Sequence, residues 1–241
     1  MRAMGTGPVG ERGRARPAGR WSGFRSIEGA ALAGLAHAAC SLAGATLLLR
    51  APTPSAGDRA AAEWYLDEVN QRTTLLGLNL VILGSIAFLW FVAVIRRRAG
   101  DRENRFFGTV FLGSALLLVG AWLVGALLFA VPALSAYLYG VAAETRDVAL
   151  WQAGGLSMAS VVAAKFEAVF ILSTTSVARL AEALPRALII AGYVVGLILM
   201  VAPLPSEALT WVFPTWVAAV SATLLLRRHD HPLAPPDHPQ T

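Results

Sequence analysis

Residues 74–98 read TLLGLNLVILGSIAFLWFVAVIRRR. A mainly apolar, uncharged run of this length, closed by three arginines, is what a helix needs to cross the bilayer, whose hydrocarbon core takes about 20 mainly apolar residues. The arginines mark the end that stays at the membrane surface. Five further runs of the same kind flank it. Together the six cover about 26–49, 74–95, 106–131, 154–174, 187–202 and 208–226. The chain therefore reads as all-α, a polytopic membrane helical bundle of six transmembrane helices. The fifth run is short, and Pro203-Leu204-Pro205-Ser206 separates it from the sixth, which predicts a tight helical hairpin.

Composition agrees with this reading. Apolar residues make up 56% of the chain and charged residues only 15%, with mean hydropathy +0.59. A water-soluble domain of this size carries about a quarter charged residues to cover its surface. The net charge of +5 is not a nucleic-acid footprint, because the arginines sit in short segments between apolar runs instead of along one face. The expected surroundings are the lipid bilayer, with anionic lipids at the cytoplasmic face and no nucleic acid. Cys40 is the single cysteine, so no intrachain disulfide framework exists. His37 stands where a lipoprotein cleavage site takes an aliphatic residue, and apolar sequence continues past Cys40, so lipid processing there is not expected.

The distribution of arginine orients the bundle. Arg2, Arg12, Arg14, Arg16, Arg20 and Arg25 fall on one side with Arg96, Arg97, Arg98, Arg102, Arg105, Arg179, Arg186, Arg227 and Arg228. Only Arg50, Arg59, Arg72 and Arg146 fall on the other. The arginine-rich side is the cytoplasmic one, so both termini are predicted to be cytoplasmic. Residues 1–25 are basic and rich in Gly and Pro and are expected to be a disordered tail. The first apolar run is too long for a signal peptide and is read as a retained helix. Residues 227–241 read as a flexible tail. Its His229, His231 and His238 match no zinc spacing.

Between the spans, 58–73 reads as one surface helix, with a Glu68–Arg72 pair and Ala61, Trp64, Tyr65 and Val69 on one side. Residues 133–152 read as an outer loop whose Tyr137, Tyr139 and Trp151 suit the aromatic belt. Gly192 with Gly196, Gly113 with Gly120, and Gly29, Ala33, Gly34 and Ala38 form small-residue stripes suited to close helix packing. Pro214 is expected to kink the last span. No internal repeat supports an inverted-repeat transporter.

Polar residues inside spans are the candidates for function, since a charge at mid-helix costs about 2.5–3.5 kcal/mol on insertion scales. Lys165 and Glu167 lie near the middle of the fourth span. Two residues apart means about 200° around the helix, so they cannot face each other. Each needs a partner elsewhere, or Glu167 stays protonated. His37 reaches a similar depth from the first span, which brings a His37–Glu167 contact within reach. Glu28, toward the inner surface, and Asn79, toward the outer one, complete the candidate set. These residues read either as a proton or ion relay or as buried structural pairs.

The zinc-protease, nucleophile-elbow, phosphate-loop and dinucleotide motifs are all missing from the sequence. No aspartate lies within a span, which excludes an intramembrane aspartyl dyad, and His37 as the single intramembrane histidine argues against a bis-histidine haem; no metal or cofactor is expected. The segments Phe88-Leu89-Trp90-Phe91 before Arg96-Arg97-Arg98, Phe170-Ile171-Leu172-Ser173-Thr174-Thr175, Leu184-Pro185-Arg186 with Gly192-Tyr193, and Val212-Phe213-Pro214-Thr215-Trp216-Val217 resemble a family of actinobacterial six-helix integral membrane proteins of unknown function. The resemblance implies a plasma-membrane location and the six-helix arrangement, and no site residue.

Two function classes follow. One is a non-catalytic accessory or interaction protein, with a protein partner or homo-oligomer left open. The other is a small-solute or proton-coupled transporter or channel using Lys165, Glu167 and His37. A cysteine placed at Thr53 is expected to react with an impermeant thiol reagent from outside the cell only. Labelling from the cytoplasmic side would reverse the orientation.

Overall fold

The structure is a computed structural model and describes residues 27–99, 105–141, 144–180 and 182–229. The expected tail at 1–25 and Arg102 lie outside the described residues, as do 230–241, with His231 and His238, of the tail expected over 227–241; its first three residues, 227–229, instead continue α8 as its last turn. Within them the regular elements are all helical: α1 (Ile27–Leu48), α2 (Asp58–Leu66), α3 (Glu68–Ala99), α4 (Arg105–Tyr139), α5 (Thr145–Ser157), a π turn (Met158–Val162), α6 (Ala163–Leu180), α7 (Arg186–Val201) and α8 (Glu207–His229). Helix α5, the π turn and α6 run on as one rod.

Among the described residues, five helices are long and apolar enough to cross a membrane: Glu28–Leu48, Glu68–Arg96, Gly108–Tyr139, Thr145–Leu180 and Glu207–Leu226. The sixth apolar helix, α7, has 16 residues, about 24 Å at 1.5 Å per residue against a hydrocarbon core of about 30 Å. Leu76, Leu83, Ile86 and Trp90 stand on one face of α3, each half or more exposed. That stripe is an apolar patch of the kind lipid covers.

The helices pack antiparallel at residues without side chains. Between α1 and α3, a Cβ on Gly44 would sit 2.9 Å from the carbonyl oxygen of Gly77, and one on Gly84 would sit 2.7 Å from Ser41 Oγ. Helices α4 and α5 meet at Gly125 and Gly155, and α6 and α7 meet where Thr175 and Leu172 fill the space above Gly192 and Gly196. Gly34 of α1 faces Ser221 of α8. Lipid tails are as apolar as leucine, so close van der Waals contact at small residues supplies much of the association energy.

Several expectations are corrected. Gly113 and Gly120 do not form a packing stripe, since a Cβ on either meets no atom within 4 Å. Helices α7 and α8 do not form a hairpin that packs on itself. The small face of α7 is taken by α6, and α8 lies chiefly against α1. The single helix expected over 58–73 breaks at Asp67, whose Oδ1 accepts the Asn70 N–H at 2.9 Å and starts α3. The Glu68–Arg72 ion pair forms at 3.1 Å, but in the first turn of α3. Val69 is 70% exposed and does not join Ala61 and Tyr65.

The outer loop expected over 133–152 is mostly helix. α4 continues through Pro132 to Tyr139, and α5 begins at Thr145. The reason is a second apolar core, in which Ala133, Ala136 and Val148 enclose Ala61 and Tyr65 of α2. This cap is tied by Asp58 Oδ1, which accepts the Thr145 N–H at 3.0 Å, and by Gln152 Nε2 donating to the Pro52 carbonyl at 2.9 Å. The Thr145 hydroxyl and amide hold the Asp58 carboxyl below its ordinary range. α8 is continuous through Pro214.

The glycine contacts make a paired prediction. Gly44→Ala pushes a methyl into α3 backbone and should lower stability in detergent by about 1–3 kcal/mol. Gly113→Ala meets open space and should raise it by up to about 1 kcal/mol through helix propensity. Thermal unfolding of the two variants beside the parent protein is the measurement, and equal shifts would contradict the packing described.

Candidate functional site

The centre of the bundle is aromatic, built from Phe88 and Phe91 of α3, Phe111 of α4, Phe170 of α6 and Phe213 of α8. His37 of α1 lies fully buried among these rings. Its Nδ1 is 2.9 Å from the carbonyl oxygen of Gly84 and 3.2 Å from Ser41 Oγ. A carbonyl can only accept, so Nδ1 carries the hydrogen and Nε2 is the acceptor of the neutral ring. Gly84 allows this because its missing side chain lets α1 come within reach of the α3 backbone.

The imidazole is stacked on the indole of Trp122 from α4, with ring centroids 5.1 Å apart and planes at 22°. Phe88 and Phe213 close the other sides, at 5.1 Å and 6.0 Å from the His37 ring. Trp122 Nε1–H donates to Glu167 Oε1 of α6 at 3.1 Å. Glu167 is 1% exposed. His37 and Glu167 therefore stand at one depth, as expected, but the indole connects them and no hydrogen bond between them is found. Each keeps one atom without a partner, Nε2 of His37 and Oε2 of Glu167.

Lys165 points away from this cluster. Its Nζ donates to the carbonyl oxygens of Ala202 at 2.6 Å and Leu199 at 3.1 Å. These lie in the last turn of α7 and at the residue that caps it, where carbonyls lack intrahelical donors and Pro203 brings no N–H to replace them. An ammonium there also meets the negative end of the helix dipole. One and a half turns earlier in the same rod, Ser160 Oγ accepts the Ser206 N–H at 3.1 Å at the entrance to α8. The rod thus holds both ends of the 203–206 turn.

The remaining candidates stand apart. Glu28 is half-buried in the first turn of α1, nine residues and about 13 Å along the helix from His37. Asn79 is exposed on the apolar stripe of α3 and returns its side-chain N–H to the Leu75 carbonyl at 2.8 Å. The structure brings together His37 and Glu167 and adds Trp122, which the sequence reading missed. The signal was there: a tryptophan in an apolar span brings an N–H that needs an acceptor, and Glu167 is the acceptor at matching depth on a neighbouring span. Among the described residues no group of three His, Cys, Asp or Glu side chains forms a set that could hold a metal.

No family model, curated protein or solved structure matches the chain.

The indole–carboxyl bond can be weighed by mutation. Trp122→Phe keeps an aromatic ring but leaves both Glu167 oxygens without a donor, a loss of about 1–3 kcal/mol. Glu167→Leu combined with Trp122→Phe should cost less than Trp122→Phe alone, because it removes the stranded group. A double-mutant cycle on thermal unfolding in detergent reads the coupling, and additive effects would remove this bond from the core.

Proposed function

We propose that this chain is a non-catalytic integral membrane protein with an accessory or interaction role, threaded six times through the plasma membrane with both ends in the cytoplasm. The observation that carries the reading is that Lys165, half-buried, and Glu167 and His37, buried, each have a hydrogen-bond partner on a neighbouring helix. Lys165 holds the end of α7, Glu167 is held by Trp122, and His37 is held by Gly84. Packed aromatic rings stand between them, and the cavity beside them is lined by Trp122 and by neither His37 nor Glu167. A conducting path needs a continuous file of polar groups or water, and this arrangement interrupts one.

The six-span, cytoplasmic-ends arrangement is supported by the antiparallel packing together with the arginine count. We count the short α7 as the fifth pass because it is apolar and antiparallel to α6, with Lys165 and the 203–206 turn at its outer end. Arg96, Arg179 and Arg186 then gather at the cytoplasmic end, where each lysine or arginine near anionic lipid contributes about 1 kcal/mol. The cap built from α2, the end of α4 and α5 faces outward. The resemblance to actinobacterial six-helix proteins points to the same membrane.

A second reading, proton-coupled transport, has one observation in its favour, the two unpartnered atoms His37 Nε2 and Glu167 Oε2. Reconstitution into liposomes separates the two. With an imposed pH gradient and a trapped pH-sensitive dye, the wild-type protein, Glu167→Gln and Lys165→Met should all leak protons at the rate of empty vesicles. Flux through the wild type that Glu167→Gln abolishes would establish the transport reading instead.

A further inference from the structure

A cavity of about 70 Å³ lies against Trp122, where α1, α3, α4, the π turn and α8 meet. It exists because Ala45, Ala126 and Ala159 are small where larger side chains would fill the space, with Leu48 and Pro214 completing the walls. Ala159 belongs to the π turn, whose extra residue bulges the rod at this point. Such turns are rare, lose hydrogen-bond quality relative to the α-helix, and concentrate at functional sites.

The lining selects the occupant. Two of the lining side chains carry hydroxyls: Ser41, whose Oγ lies 3.2 Å from His37 Nδ1, and Thr210, whose Oγ1 donates to the Glu207 carbonyl at 2.6 Å. A trapped water needs about two to four polar partners, and the remaining walls are hydrocarbon and aromatic. An apolar cavity of about 150 Å³ takes up benzene. Half that volume suits the tapering end of an aliphatic chain better than a ring. The cavity is not closed off, and the helices around it present apolar side chains to a medium made of such chains.

We infer that this cavity binds the end of a lipid acyl chain, seated against the indole of Trp122. The occupant touches the same ring that donates to Glu167 and stacks on His37, so seating of the chain and the geometry of the buried cluster are mechanically linked. The inference rests on the membrane reading above, and the experiment separates failure of one from failure of the other.

The full-length protein is reconstituted into phosphatidylcholine vesicles whose acyl chains carry bromine, a contact quencher of tryptophan. Of the seven tryptophans, Trp90 is 59% exposed on the lipid-facing stripe and serves as the internal control. The emission lost in Trp90→Phe and in Trp122→Phe isolates the two contributions. Both should be quenched by brominated chains. Ala126→Leu, which plugs the cavity, should abolish quenching of the Trp122 contribution and leave that of Trp90 unchanged. Ala159→Leu plugs it from the π turn should the first variant not fold. Quenching of Trp90 with none of Trp122, or quenching of Trp122 that survives both plugs, would overturn the inference alone. Quenching of Trp122 by aqueous acrylamide in place of the brominated chains would show a wet cavity and also overturn it. If neither tryptophan is quenched by lipid, the membrane reading falls and the inference with it.

Discussion

Inside a bilayer there is no water to complete a hydrogen bond, so polar groups between these helices turn to partners within the protein, and the buried atoms that find none, His37 Nε2 and Glu167 Oε2 among them, are exceptions. The details of the structure follow from that constraint. Hydroxyls such as Ser85 and Thr223 return to the carbonyl four residues earlier, at 2.8 Å in both cases. The indole of Trp122 is spent on Glu167. The end of α7, where Pro203 withholds a donor, takes an ammonium group from the neighbouring rod. Lys165 thereby caps the end of α7, and the level along the rod at which it sits is the level at which α7 stops.

The same rod organises the surroundings. Because α5, the π turn and α6 are continuous, one element supplies the cap contact at Val148, the wall of the cavity at Ala159, the α8 entrance at Ser160, the α7 terminus at Lys165 and the buried carboxyl at Glu167. The π turn lies among these functions, between the cap and the central aromatic core. A bulge there sets the phase of everything below it relative to everything above. Lipid in the cavity would press on that bulge from one side and on Trp122 from the other.

The cap shows how tertiary burial overrides local composition. Pro132 and the mixed polarity of 133–152 argue against a helix when taken alone. Ala133 and Ala136 nevertheless continue α4 because their small faces admit Tyr65, whose buried hydroxyl is pushed above its ordinary ionisation range by desolvation. The helix extends beyond the span because something waits there to pack against it.

The sequence by itself determined the helical class, the places of the apolar runs, the short α7, the alternation of arginine and the isolation of Lys165 from Glu167. All of these rest on local length, charge and the 100° step between helical residues, which need no knowledge of neighbours. It also located the depth at which His37 and Glu167 stand. Which helix faces which was decided only by tertiary structure, and with it the tryptophan between those two residues. The same holds for the glycines that pack: Gly44, Gly77 and Gly125 do, while Gly113 and Gly120 do not. A glycine contributes to association only when another helix stands opposite, and an indole N–H identifies its acceptor only when two helices are brought to a common distance. Those are properties of pairs far apart in the chain, which hydropathy and spacing along one strand of sequence do not encode.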